Sequence, residues 1–356
     1  MEYLNLYANC RLVKGAGMSL LCDLQMRKFY HIPNDTADVL SFLQQHSIED
    51  CLTHYGEDNR EAITGYIDFI TGKELGFTDN QLLPELTPLD LSWDRYSDIT
   101  NVIIEYNEDI NYTGSFFQEL FDLHVLALEI RCYHKTALNK IRELLEVFNG
   151  TTLKYIKLVL SYEETQDLPV LDKLVKQYPR VKSLLIHSSP ADKLEKIFDG
   201  SVPVVFFSSN INSCLACGEI RTNYFVSNME LFTESQHHNT CLNRKLSIDQ
   251  KGYIRNCPSL PESFGHVTKA SLQEVLDNKT FHRYANIRKD EIMVCKDCEF
   301  RHVCTDCRAY LEDPRDLYSK PLKCGYDPYT NTWENWSEHP LKQAAIASYG
   351  LDQIIK

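Results

Sequence analysis

Cys295-Lys296-Asp297-Cys298-Glu299-Phe300-Arg301-His302-Val303-Cys304-Thr305-Asp306-Cys307 is the stretch on which the reading of this chain turns. Its four cysteines are spaced C-x2-C-x5-C-x2-C. Each CxxC pair places two thiols on one tight turn, within reach of a single metal ion or one corner of a cluster. Working outward, Cys324 follows downstream. Upstream, a gap of 37 residues leads back to Cys257, then four residues to Gly252 and ten more to Cys241. A glycine between Cys241 and Cys257 suits a hairpin turn joining two ligand-bearing strands. One more pair, Cys214-x2-Cys217, lies just before Cys241. Nine of the 13 cysteines fall between Cys214 and Cys324. In a reducing compartment such density holds metal rather than disulfides, although zinc and iron–sulfur clusters both take four cysteines. The other four, Cys10, Cys22, Cys51 and Cys132, sit in apolar or amphipathic stretches and read as buried structural thiols.

Composition narrows the function classes. The chain has 356 residues, 37 Lys+Arg and 50 Asp+Glu, for a formal charge of −13. An acidic balance argues against nucleic acid, which needs a basic face. No uncharged apolar run approaches the ~18 residues of a membrane span, and the start Met1-Glu2-Tyr3-Leu4-Asn5 lacks the features of a signal peptide. The expectation is a cytoplasmic protein without a membrane or nucleic-acid partner.

Periodicity divides the rest into α/β regions. Residues 1–78 read as a three-stranded sheet followed by three helices. Leu4 to Leu12 alternates as one strand, and Met18 to Asp23 and Lys28 to His31 are the next two. Helices start at Pro33-Asn34-Asp35, at the capping-box stretch Ser47-Ile48-Glu49-Asp50, and at Asp58, the last carrying Ile63, Ile67 and Ile70. Residues 79–95 read as a linker. Over 96–213, short apolar strands alternate with amphipathic helices, which implies a parallel sheet with right-handed crossovers in an open or partial (β/α) barrel. One of those helices is expected around Leu194, Ile197 and Phe198. Residues 214–330 form the cysteine-rich region, and 331–356 contain a C-terminal helix over Leu341 to Ile355.

The order Cys241, Gly-x4-Cys257, Cys295-x2-Cys298-x5-Cys304, Cys307, Cys324 resembles the SPASM domain, which closes many radical S-adenosylmethionine peptide-modifying enzymes. One departure is the Cys304–Cys307 spacing, two residues where the family has three. The resemblance implies two auxiliary 4Fe-4S clusters: one on Cys295, Cys298, Cys304 and Cys324, the other on Cys241, Cys257 and Cys307. Its fourth ligand is open, with Cys214 or Cys217 as candidates to loop back. Ser235, His237 and His238 stand where fuller relatives carry that cysteine. The radical cluster itself needs Cys-x3-Cys-x2-Cys after the first barrel strand. The stretch after Ile103-Ile104-Glu105-Tyr106 reads Asn107-Glu108-Asp109-Ile110-Asn111-Tyr112-Thr113-Gly114, without cysteine.

That combination resembles the SPASM-domain peptide maturases of grasp-with-spasm systems, encoded beside an ATP-grasp ligase and a short precursor peptide. The likeness is carried by Cys-Thr-Asp-Cys-Arg-Ala-Tyr-Leu-Glu-Asp-Pro and Pro-Leu-Lys-Cys-Gly-Tyr-Asp-Pro. It implies a radical-SAM-like fold and a role in RiPP biosynthesis, with a leader peptide and the ligase as partners. Residues 1–78 are similar in element order to the winged-helix-like domain that grips leader peptides. A peptide would then add as a strand along Phe29-Tyr30-His31, facing Ile67 and Ile70.

No catalytic residue is identified. The chain has no phosphate-binding Gly-rich loop, no HExxH and no GxSxG. His134 and His187 end expected strands without partners. Two alternatives stay open beside an accessory maturation factor: a metalloenzyme that modifies the peptide at an incomplete iron site, and a zinc-stabilised interaction protein.

Overall fold

Tyr7-Ala8-Asn9 breaks what the sequence reads as a single strand. The Cys10 amide donates to the Tyr7 carbonyl at 2.8 Å, so two strands result, β1 (Tyr3–Leu6) and β2 (Cys10–Lys14). The computed structural model in which this is seen describes residues 1–87, 89–94 and 96–355. Pro88 and Arg95 of the expected linker, and Lys356 of the expected C-terminal helix, lie outside the described residues. The chain forms two units, one from Met1–Asp94, Glu219–Thr240 and Ile287–Ile355, the other from residues 96–218 and 241–286.

In the first unit, β2 pairs with β3 (Met18–Asp23) and β3 with β4 (Lys28–Pro33), all antiparallel, leaving β2 and β4 as edges. Three helices follow as expected: α1 (Asn34–Leu43), α2 (Ile48–Tyr55) and α3 (Arg60–Gly72). The Ser47 and Asp50 side chains close a full capping box on α2. The expected three strands and three helices omit a further strand at the end of this region: β5 (Gly76–Asp79) pairs antiparallel with β1 in a separate ribbon. Period-two alternation gives β3 two buried faces. Leu21 packs with the helices around Leu40, Leu43 and Ile70, whereas Leu20 and Cys22 pack against Phe300, Val303, Cys304 and Cys324. The small sheet therefore shares a core with the cysteine-rich segment.

The second unit is built on an eight-stranded open sheet. Its parallel strands are β6 (Asn101–Glu105), β7 (Ala127–Arg131), β8 (Tyr155–Ser161) and β9 (Val181–His187), connected through α4 (Gly114–Asp122), α5 (Leu138–Val147) and α6 (Leu168–Gln177). Thr113 and Asp167 cap α4 and α6 by accepting from the Phe116 and Val170 amides. Apolar runs such as Val102-Ile103-Ile104 in β6 and Leu158-Val159-Leu160 in β8 fill the middle of the sheet, as burial on both faces requires. The helix expected around Leu194 is instead β10 (Lys193–Ile197), antiparallel to β11 (Val202–Phe206). Phe198, Asp199 and Gly200 all adopt positive φ, and a turn of that shape closes a hairpin rather than a crossover.

Helix α7 (Met229–His237) belongs to the first unit. The chain then adds β12 (Lys245–Ile248) to the parallel sheet beside β6 and folds back antiparallel as β13 (Ile254–Arg255) before α8 (Leu272–Asp277). The sheet order is β10-β11-β9-β8-β7-β6-β12-β13. The rest of the first unit has little regular structure: two short paired strands, β14 (Tyr326–Asp327) and β15 (Thr332–Trp333), and one short helix, α9 (Gln343–Ser348). The expected helix over Leu341 to Ile355 is cut short by Gly350 in the left-handed region. Among the described residues no helix is long and apolar enough to cross a membrane.

Candidate metal centre

Val294 sets up the first thiol pair. A β-branched residue at φ 68 is a strained position. It turns the chain into a 3-10 turn over Cys295–Asp297, which the Cys298 amide closes onto the Cys295 carbonyl at 3.1 Å. Cys304 follows one turn later, its amide donating to the Phe300 carbonyl at 2.9 Å. Cys324 is brought in by a parallel bridge with Ile220. Lys342, buried at the start of the C-terminal segment, donates to the Leu322 carbonyl at 3.0 Å and the Cys324 carbonyl at 2.6 Å, and pairs with Glu312 at 2.8 Å. Cys295, Cys298, Cys304 and Cys324 line one cavity, together with Lys289, Phe300 and Tyr326.

Lys289 decides what this cavity can hold. Its side chain is buried, and its ammonium donates to the Cys304 sulfur at 2.8 Å. Burial alone would lower its pKa, yet the Cys304 thiol, Asp306 and the Cys295 thiol raise it. Burial pushes the Cys295 thiol up to about 12 and the Cys304 thiol to about 11, with Lys289 pulling against it in both; Cys298 is also raised well above its ordinary value, by burial first. A buried cation needs negative charge opposite it. Thiolates are the species that ligate metal, and on ligation the four cysteines around this cavity would supply that charge, with Asp306 already near the lysine. The donor set fits a four-cysteine cluster. The thiols stand around the cavity rather than meeting at a point: among the described residues no three His, Cys, Asp or Glu side chains are grouped for a single metal ion.

In the second unit, Cys241 and Cys257 flank the β12–β13 hairpin at its open end instead of sitting on its strands. The turn is made by Asp249, whose carboxylate accepts from the Lys251 and Tyr253 amides at 2.9 Å each, and by Gly252 at φ 83. A Cβ at Gly252 would lie 2.5 Å from the His266 ring. The Asn256 side chain ties the two arms, donating to the Leu242 carbonyl at 3.2 Å and the Lys245 carbonyl at 2.8 Å. Lys245 donates to the Cys241 sulfur at 3.3 Å. Cys214 and Cys217 form a second 3-10 turn, with the Cys217 amide on the Cys214 carbonyl at 3.0 Å. Cys307 is buried in the first unit, where Tyr349 is among its neighbours.

The residues read as a peptide-binding edge divide between two faces. Tyr30 meets Phe69 of α3 edge-on at 5.6 Å. Phe29 turns the other way, toward Phe300 at 6.2 Å. His31 pairs with the buried Glu299 carboxylate at 2.6 Å and stacks on Phe300, while Tyr326 also donates to Glu299. Ile67 and Ile70 are buried in the helical core. The scattered Cys10, Cys22, Cys51 and Cys132 are all buried.

Of the histidines, His237 donates to the Leu91 carbonyl at 2.7 Å, His238 ends α7 as its C-cap, and His134 is exposed. His187 is fully buried, its Nε2–H donating to the Cys132 carbonyl at 3.1 Å while Nδ1 accepts from the Ile211 amide at 3.4 Å. Ser235 donates to the Phe232 carbonyl at 2.6 Å and is bonded to His302. At the carboxyl end of β6, Glu105 is buried; burial raises its carboxyl pKa, and it accepts from the Tyr133 hydroxyl at 2.7 Å. Lys245, Lys289 and Lys342 were not legible as site residues. Lys289 lies in Arg288-Lys289-Asp290-Glu291, which reads as a solvated charge run.

The iron–sulfur cluster-binding SPASM domain family matches this chain over residues 240–299. The fold comparison returns Streptococcus suis SuiB at 12% identity and TM-score 0.35, covering 89% of this chain and 98% of that one. The structure of SuiB bound to its precursor peptide SuiA matches with the same values, and SuiB bound to S-adenosylmethionine matches at 10% identity and TM-score 0.31. No curated protein matches the chain.

Proposed function

We propose that this chain is an iron–sulfur maturation factor for a ribosomally made peptide, acting with an ATP-grasp ligase and lacking a radical S-adenosylmethionine cluster. The observation that carries the reading is the cavity lined by Cys295, Cys298, Cys304 and Cys324 with Lys289 donating to one of them. Those four residues would hold one 4Fe-4S cluster, and Cys241 and Cys257 would contribute to a second. A bound cluster supplies a cross-link between distant chain segments and a one-electron centre. The chain's own contribution is to aim the thiols, to place Lys289 and Lys245 beside them, and to keep water from the first site with Phe300 and Tyr326.

Peptide capture is assigned to the open edge of β4. An added strand would take its main-chain hydrogen bonds from that edge and set side chains against Tyr30 and Phe69. The test is fluorescence anisotropy of the labelled precursor peptide encoded beside this chain, titrated with the whole protein. Tyr30→Arg is expected to weaken binding at least tenfold, whereas Leu194→Arg, on the exposed β10, leaves it unchanged. Equal affinity for wild type and Tyr30→Arg would overturn the assignment. Incubating precursor with this protein, then adding the ligase, reads the partnership: a mass change is expected only in the second step.

A further inference from the structure

The sheet that carries the β4 edge is clamped, strand by strand, to the loop that carries Cys295, Cys298 and Cys304. At the end of β2, the Lys14 carbonyl accepts from the Arg301 guanidinium at 2.7 Å. In the β2–β3 turn, the Ala16 amide donates to the Asp297 carbonyl at 2.8 Å and the Gly17 amide to the Pro328 carbonyl at 3.0 Å. A Cβ at Gly15 would lie 2.7 Å from the Glu299 amide nitrogen, so the turn is seated directly on the loop. On β3, Leu20 and Cys22 pack against Phe300, Val303, Cys304 and Cys324. On β4, successive side chains alternate between two anchors. Tyr30 and Ile32 belong to the helical side, whereas Phe29 meets Phe300 and His31 pairs with Glu299, the residue after Cys298.

We propose that loading of the first cluster governs peptide capture: the β4 edge keeps the shape an added strand needs only while Cys295, Cys298, Cys304 and Cys324 are ligated. The inference rests on the cluster and capture readings above and adds the link between them. Residues 295–304 hold a 3-10 turn but no strand or α-helix, so ligation is what fixes them. With the thiols released, Phe29 and His31 lose firm partners, and one of the two faces that hold β4 goes slack. An added strand takes its affinity from a row of main-chain groups in fixed register. A frayed edge must first be ordered, and that cost is subtracted from the binding free energy. Glu299 is the latch between the two sites. Its side chain is fully buried, so a peptide on β4 cannot touch it, yet it accepts from His31 on the edge strand at 2.6 Å and from Tyr326.

The test is anisotropy of the labelled precursor peptide with the full chain, first loaded with iron without oxygen and then stripped by a chelator. Affinity is expected to fall about tenfold on stripping and to return on reconstitution with iron and sulfide. Coupling of this kind is reciprocal, so bound peptide should make the first cluster harder to strip. Loaded Glu299→Ala is expected to keep its iron and to bind the peptide severalfold more weakly. Amide exchange separates loosening from unfolding: β4 should exchange faster in the stripped protein while α3 stays protected. Equal affinity in the loaded and stripped protein, full affinity in Glu299→Ala, or loss of protection in α3 alongside β4 would overturn the proposal. Absence of peptide binding in both states would instead overturn the capture reading, and a wild type without iron and sulfide the cluster reading.

Discussion

Around Lys289 the thiols come from chain with almost no regular structure, whereas around Lys245 they sit at the mouth of a hairpin that belongs to an eight-stranded sheet. The first site is held by 3-10 turns, a bridge between Ile220 and Cys324, buried lysines that donate to a sulfur and to carbonyls, and a small core shared with β3. The second has strand pairing on both sides of β12 and a packed apolar core behind it. A segment without its own secondary structure draws its stability from what it binds. A segment paired into a sheet keeps its position with or without a ligand. The two sites thus use similar donors on opposite kinds of scaffold.

Metal removal should expose that contrast most strongly. When iron is stripped by a chelator, amide exchange over residues 289–324 is expected to accelerate by at least a hundredfold, while β12 and β6 stay protected. Equal loss of protection in both regions would break the comparison. Next in size is the effect of the lysines. Replacing Lys289 by Met removes a buried cation hydrogen-bonded to a sulfur, a bond worth about 1.5–3 kcal/mol. The reduction potential of its cluster should fall, because the extra electron loses its nearest positive charge. Lys245 is more exposed, so Lys245→Met should lower the other potential by less. Protein-film voltammetry of the two variants reads the difference, and the reverse order would refute it.

A smaller effect is expected at the base of the hairpin. Asn256→Ala removes its two hydrogen bonds to the Leu242 and Lys245 carbonyls, worth about 0.5–1.5 kcal/mol each, and should make only the second cluster labile to chelators. The smallest effect concerns the sheet unit alone. Burial lowers the pKa of His187 below its ordinary 6.5. Between the two values the unfolded chain binds the proton and the folded one does not. Stability is therefore lost as pH falls through about 6.5, with a slope of at most about 1.4 kcal/mol per unit. Urea unfolding between pH 7.5 and 5 should show a flatter acid limb for His187→Leu than for wild type.

Legibility followed the same divide. Apolar runs such as Val102-Ile103-Ile104 and Leu158-Val159-Leu160 announced buried parallel strands, because burial on both faces leaves room for little else. Ser47 and Asp50 marked a helix start through a local bond that needs no tertiary context. Errors arose where a short segment carried two patterns. Leu4 to Leu12 alternates throughout, but the turn at Tyr7 uses one period of the alternation to change direction. Leu194, Ile197 and Phe198 fit helical spacing, yet a five-residue strand before a positive-φ turn satisfies the same three positions. In the candidate site the cysteines were legible by spacing. The lysines were not, since a lysine buried against sulfur looks, in sequence, like any other member of a charged run.

The most direct measurement is the content of iron, acid-labile sulfide and zinc in the full chain isolated without oxygen. About eight irons and eight sulfides per chain, with a brown colour bleached by dithionite, is the expected result. Stoichiometric zinc with no sulfide would contradict the account.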